Sequence, residues 1–243
     1  MPKMISRPAT AVLCCTPTGI LKQKWCAWAS WYAMPMRRAV TTSSTDFCSM
    51  SFSIVYIHGF NSSPQSHKAQ QFQRWIAAQH PEITLHIPAL KPFPLDAIKQ
   101  LEDLTALAPQ NTGFIGSSLG GFYAVYLAEK FQARAVLINP AVRPFDSLAQ
   151  YLGENKNFHT QESYVLTQQH VDDLRALYVA APTHPEHLLL LTQTGDETLN
   201  FREAVTHFQR SPAVIEYGGD HAFQHAEKHF QHMLSFLQQT TRL

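Results

Sequence analysis

From residue 51 onward the apolar positions switch repeatedly between the two periods of regular structure, near two for strands and 3.6 for helices. Ser53–Ile57 is a short buried-type strand pattern that ends in a polar stretch with Gly and Pro punctuation, His58-Gly59-Phe60-Asn61-Ser62-Ser63-Pro64. Phe72, Trp75 and Ile76 repeat at helical spacing and predict a helix over His67–Gln79 with Ser66 as its cap. Residues 83–87 read as a second strand closed by Pro88, and residues 95–108 as a helix introduced by Pro94. Ala135–Ile138, 187–192 and 213–217 read as further strands, with helices over 201–209 and 223–238. Between 141 and 185 the alternation stops; Pro144, Gly153 and an amphipathic helix at 171–180 suggest an excursion over one edge of a sheet.

Residues 112–123, T-G-F-I-G-S-S-L-G-G-F-Y, organise this pattern. Strand-type Phe114 and Ile115 break at glycines, and a helix pattern resumes over 122–129. Gly116, Ser118 and Gly120 fill G-x-S-x-G, the nucleophile elbow, in which a serine stands on a strained strand-to-helix turn. Centring the motif on Ser117 would put Ile115 and Leu119 where a tight turn needs small residues, so Ser118 is the candidate nucleophile. Six strands alternating with helices imply an α/β architecture, a mostly parallel sheet covered on both faces with a small cap-like excursion. Ligands of such sheets bind beyond the carboxyl ends of the strands.

Composition divides the chain. Residues 1–49 hold all four cysteines, three of the four tryptophans, none of the thirteen histidines, and six Lys/Arg against the single acid Asp46. The remainder therefore has 19 − 6 = 13 basic and 18 − 1 = 17 acidic side chains, a balance that argues against general nucleic-acid binding. A boundary at Met50 is expected, with 1–49 a disordered or mis-assigned extension and 50–243 one α/β domain. The apolar patch 9–15 is short for a secretory signal, a transit peptide suits the acid-poor composition better, and 25–36 is too short to span a membrane. A body free of cysteine fits a reducing compartment, so a cytoplasmic protein with no membrane partner is expected.

A serine hydroxyl is a weak nucleophile without an oriented base, and the chain offers an acid and a histidine downstream in the order Ser, Asp, His. Asp196, in T-Q-T-G-D-E after the fifth strand, is preferred as orienting acid over Glu197 and Asp220. Asp220 is the sequence neighbour of the histidine, and adjacent turn residues seldom face one another. His221, in Y-G-G-D-H-A-F after the sixth strand, is the candidate base, with two glycines letting its loop bend back. Backbone N–H groups of Leu119 and Phe60 are the expected oxyanion donors, and His58 is read as a buttress of the first loop. The series His221, His225, His229 and His232 could place imidazoles on one helix face, but no Cys, Asp or Glu joins it at ligand spacing, so a solvated face is expected rather than a metal site.

Y-I-H-G-F-N-S-S-P from Tyr56, G-S-S-L-G-G from Gly116, N-P-A-V-R-P-F from Asn139, Y-L-G from Tyr151, Q-T-G-D-E from Gln193 and G-G-D-H-A-F from Gly218 together resemble the YqiA-type esterase family of small α/β-hydrolases. The resemblance covers almost all of 51–243 and none of 1–49. It implies hydrolysis of a small-molecule carboxyl ester or thioester by Ser118, His221 and Asp196, without metal or cofactor. Arg143, in the N-P-A-V-R-P stretch, is a candidate contact for a substrate carboxylate or phosphate, against a structural salt bridge. An acyltransferase or a carbon–carbon bond hydrolase would use the same residues, and a hydrolase-fold binding protein would have no need of all three.

Overall fold

The computed structural model describes residues 51–157 and 161–239. In chain order, β1 (Ser53–Ile57) is followed by α1 (His67–Gln79), β2 (Thr84–His86), α2 (Pro94–Thr105), β3 (Thr112–Ser117), α3 (Leu119–Phe131) and β4 (Ala135–Ile138). The excursion then holds α4 (Pro144–Leu148), β5 (Gly153–Lys156), β6 (Ser163–Leu166) and α5 (Gln168–Ala176). The alternation resumes with β7 (Leu188–Gln193), α6 (Phe201–His207), β8 (Ala213–Glu216) and α7 (Phe230–Leu237).

Six strands form one sheet in the order β2-β1-β3-β4-β7-β8, every neighbouring pair parallel. β1, β3, β4 and β7 are buried along their whole length, which is why they read as apolar runs rather than alternating ones. Alternate side chains supply two cores. Ile54, Tyr56, Ile115, Val136 and Leu189 pack with Phe72 and Ile76 of α1 and Phe230, Met233 and Leu234 of α7. Val55, Ile57, Phe114, Leu137 and Leu190 pack with residues of α2, α3, α4 and α5 on the other face. A parallel sheet puts all its strand carboxyl ends on one edge, where the loops after β1, β3, β7 and β8 meet.

Four local expectations are corrected. α3 starts at Leu119 rather than 122, because the turn is completed within Ser118 (φ 56°, ψ −123°) and the two glycines lie inside the helix. Ser66 precedes α1 but makes no side-chain capping bond. α5 covers Gln168–Ala176 rather than 171–180, since Thr167 and His170 form a reciprocal capping box that sets its start. The last helix is only Phe230–Leu237; Phe223 and His225 adopt left-handed backbone (φ 57° and 58°), and a 3-10 turn occupies Ala226–His229. The excursion also contains an antiparallel hairpin, β5 with β6, that no apolar period announced. The expectations for residues 1–49 lie outside the described residues. No helix among the described residues is long and apolar enough to cross a membrane.

Candidate active site

Ser118 is the single residue between the end of β3 and the start of α3. The turn closes because strand and helix backbones touch: a Cβ on Gly116 would lie 2.2 Å from the Gly120 carbonyl oxygen, and one on Gly120 would lie 2.1 Å from that of Ile57. The second contact joins the elbow to the end of β1. Gly59 completes the approach, since a Cβ there would stand 3.1 Å from Cβ of Ser118.

His221 reaches Ser118 from the loop after β8. Its Nε2 is 3.1 Å from Ser118 Oγ, and its Nδ1 is 2.8 Å from Oδ2 and 3.0 Å from Oδ1 of Asp196. An ionised carboxylate only accepts, so Nδ1 carries the proton and Nε2 accepts from the serine hydroxyl. The Asp196 side chain is 2% exposed and that of His221 24%. Asp196 Oδ1 also accepts from the N–H groups of Thr198 (2.9 Å) and Leu199 (2.8 Å). Burial works against the Asp196 charge, but the hydrogen bonds from His221, Leu199 and Thr198 outweigh it and hold the carboxyl below its ordinary value. The two competing acids do other work: Glu197 accepts from the backbone N–H of His221 at 3.0 Å, and Asp220 accepts from Gln224 Nε2 at 2.9 Å.

Phe60 and Leu119 line one small cavity of about 40 Å³ beside Ser118, together with Asn61, Tyr123 and Tyr164. Leu119 is the first residue of α3, so its N–H has no carbonyl partner within the helix. His58, 4% exposed, contacts the Gly59 carbonyl through Nδ1 (3.0 Å) and accepts from the N–H of Leu90 at Nε2 (3.3 Å), tying this loop to the segment after β2. The β5–β6 hairpin lies against the same loop: Tyr164 Oη donates to Asn61 Oδ1 (2.6 Å) and Asn157 Nδ2 to the Ser62 carbonyl (3.1 Å). Burial pushes the Tyr164 phenol up to about 12, with the Asn61 bond opposing, so it stays protonated and donates.

Arg143 Nε donates to Asp146 Oδ2 at 2.7 Å, its guanidinium lies 5.6 Å from the Phe145 ring centre, and it lines an open cleft of about 890 Å³. The same cleft is lined by Ala141, whose N–H donates to the Ser118 carbonyl, and by Thr198 and Leu199, whose N–H groups bind Asp196. The histidine series is dispersed: His221 meets Asp196, His225 faces Glu227 at 3.6 Å, and His229 Nε2 meets Glu216 at 2.9 Å. Among the described residues, His184, Glu186 and His187 form the one set with metal-ligand proximity, at the amino end of β7. The two imidazole centres are 5.0 Å apart with 22° between their planes.

Sequence reasoning missed Lys68, Asn61 and Tyr164. Lys68 of α1 is lowered from 10.5 to about 8 by burial, which the charges of Asp196 and Asp220 oppose, so a cation stands near the acid that holds His221. Nothing in the local pattern around Lys68 marks it; only the fold brings it there.

Solved structures of similar shape are α/β-hydrolases. Est1E from Butyrivibrio proteoclasticus has a TM-score of 0.60 and 13% identity, covering 77% of this chain and 89% of that one. The monoacylglycerol lipase of Paleococcus ferrophilus has a TM-score of 0.56 and 12% identity over 76% and 93%. Alpha/beta hydrolase domain-containing protein 10 from mouse has 0.55 and 14% over 75% and 87%. At these identities the likeness speaks to the fold. Residues 53–238 match the model of an uncharacterised protein family, UPF0227, and on that match the chain belongs to this family of YqiA-like α/β-hydrolases.

Proposed function

We propose that the protein is a serine esterase or thioesterase that works through an acyl-enzyme. The observation that supports this reading is the continuous hydrogen-bonded line from Ser118 Oγ through both nitrogens of His221 to Asp196. Ser118 Oγ attacks the substrate carbonyl while His221 Nε2 takes its proton. Asp196 holds the imidazole orientation and stabilises the imidazolium. Charge develops on the carbonyl oxygen, and the N–H groups of Phe60 and Leu119, which line the cavity of about 40 Å³, are the donors proposed for it; each such donor lowers a barrier by about 3–4 kcal/mol. The imidazolium then returns its proton to the leaving alcohol or thiol. Water, deprotonated by the same histidine, attacks the acyl-serine; the acid leaves and Ser118 regains its proton.

The test is fluorophosphonate labelling of the full chain, read by intact mass, with Ser118→Ala and His221→Ala beside it. One adduct on the parent and none on either variant supports the reading. A folded parent that takes no adduct between pH 6 and 9 sinks it. With a turnover substrate, Ser118→Ala should lower kcat by roughly four to six powers of ten, by analogy with triad deletions elsewhere.

A further inference from the structure

Two motif residues have no part in the chemistry above: Gln193, which opens Q-T-G-D-E, and Asn139, which opens N-P-A-V-R-P-F. Both are buried, at 3% and 2% exposure, at the carboxyl ends of β7 and β4. Both point into the loop that carries His221. Residues 218–225 form no strand or helix, and Gly218, Gly219, Phe223 and His225 all have left-handed backbone (φ 78°, 71°, 57° and 58°). Such a segment lacks a main-chain ladder to define it, so side chains have to hold it.

The Gln193 amide does so with all four of its hydrogen-bonding positions. Oε1 accepts from the N–H of Gln224 (2.8 Å) and of Asp220 (3.2 Å), which flank His221 in the loop. Nε2 donates to the Gln224 carbonyl (2.8 Å) and to Oε2 of Glu216 on β8 (2.7 Å). The loop folds directly onto this group, since a Cβ on Gly219 would fall 2.0 Å from Oε1. Asn139 Oδ1 accepts from the Gln193 N–H (3.0 Å), and its Nδ2 donates to the carbonyls of Asp220 (2.9 Å) and His221 (3.3 Å).

We propose that Gln193, braced by Asn139, is the positioning residue for His221: its amide fixes the 218–224 loop so that the imidazole stands between Asp196 and Ser118. Only an amide supplies two acceptor and two donor positions at once. Glutamate has nearly the same shape but no donor unless protonated, and it would set a second carboxylate beside Glu216. The titratable groups around that pair are His229 and Lys228 from the turn before α7 and Asp220 and His221 of the loop, with Lys68 of α1 and Asp196 after β7 next to Asp220 in the network. His229 and Lys228 favour the Glu216 anion, so a single proton shared in Gln193→Glu would sit on the introduced carboxyl and restore the donor at low pH.

The kinetic arm rests on the serine-hydrolase reading. Fluorophosphonate labelling rates are measured on the full chain from pH 5.5 to 9 for the parent, Gln193→Ala and Gln193→Glu, with thermal melts to verify folding. The parent rate should rise with pH to a plateau. Gln193→Ala should be slower by about 10²-fold, the usual effect of misplacing a reacting group by ~1 Å. Gln193→Glu should give a bell, close to the parent at its acid limb and falling as the shared proton is lost. A Gln193→Ala rate within threefold of the parent, or a Gln193→Glu profile that tracks the parent, overturns the proposal. A parent that takes no label instead counts against the hydrolase reading, and a second readout then decides. The downfield Nδ1–H proton resonance of His221, assigned by its loss in His221→Ala, should be present in the parent and broadened or lost in Gln193→Ala. Its persistence unshifted in Gln193→Ala overturns the positioning role whatever the activity.

Discussion

Replacing Ser118 by glycine should make the protein more stable than replacing it by alanine. Both substitutions remove the same hydroxyl and the same bond to His221, so their difference isolates the backbone. Ser118 is held at φ 56°, ψ −123°, a conformation that L residues occupy at a cost of about 1–3 kcal/mol and glycine adopts freely. Glycine also loosens the unfolded chain, which takes back about 0.4–1 kcal/mol. Ser118 makes no capping bond to α3, so neither variant loses a helix cap. The net expectation is Ser118→Gly above Ser118→Ala by about 1 kcal/mol, which for a domain of this size is ~2–4 °C in Tm. Urea unfolding of the two variants side by side, followed by far-UV circular dichroism, measures it at constant m-value. If glycine proves equal to or less stable than alanine, the elbow is not strained in the way its dihedrals indicate.

Gly120→Ala should be destabilised by about 1–3 kcal/mol although alanine normally improves a helix, because its Cβ would fall 2.1 Å from the Ile57 carbonyl oxygen. The same shift would move the His58–Phe60 segment off Ser118, so its fluorophosphonate labelling should also slow by about 10²-fold; a variant with parental stability and rate would contradict the packing argument. Lys68→Met should raise Tm at pH 7. A folded-state value lowered from 10.5 to about 8 means the folded protein resists the ammonium, so parental stability is lowest below pH 8 and recovers as pH rises towards 10.5. The gain from Lys68→Met, at most about 3 kcal/mol, should therefore shrink between pH 8 and 10, and a gain that grows over that range would reverse the sign of the reasoning.

The central strands were legible because their side chains are buried on both faces: Ile54 to Ile57, Ala135 to Ile138 and Leu188 to Leu191 carry nothing but apolar residues. Ser118 was equally legible, since the glycines around it answer to contacts a few residues away or at the end of the neighbouring strand. The β5–β6 hairpin was not, because Gly153–Lys156 and Ser163–Leu166 alternate polar with half-exposed residues and bury a single leucine. The span 223–238 imitates one amphipathic helix because Phe223, Ala226 and Phe230 are spaced as if on one face, yet Phe223 enters the core from a left-handed turn and Ala226 from a 3-10 turn, and only Phe230 from α7. Gln193 and Asn139 illustrate a different limit. Their partners lie 23 to 82 residues away, so the hydrogen bonds that give them a role exist only once the sheet is assembled.

Strand order also has a consequence in time. β1, β3 and β4 are neighbours, so the elbow can be shaped by the first half of the described chain, whereas His221 lies 103 residues beyond Ser118, in the loop after the strand at the far edge. A chain made from its amino end therefore has Ser118 in place before the residues that would assist it are synthesised. On the proposed chemistry that hydroxyl stays inert until β7 has docked beside β4 and β8 beside β7. Covalent labelling of Ser118 is then a clock for refolding: its onset marks the arrival of the last strand and of the loop after it that carries His221.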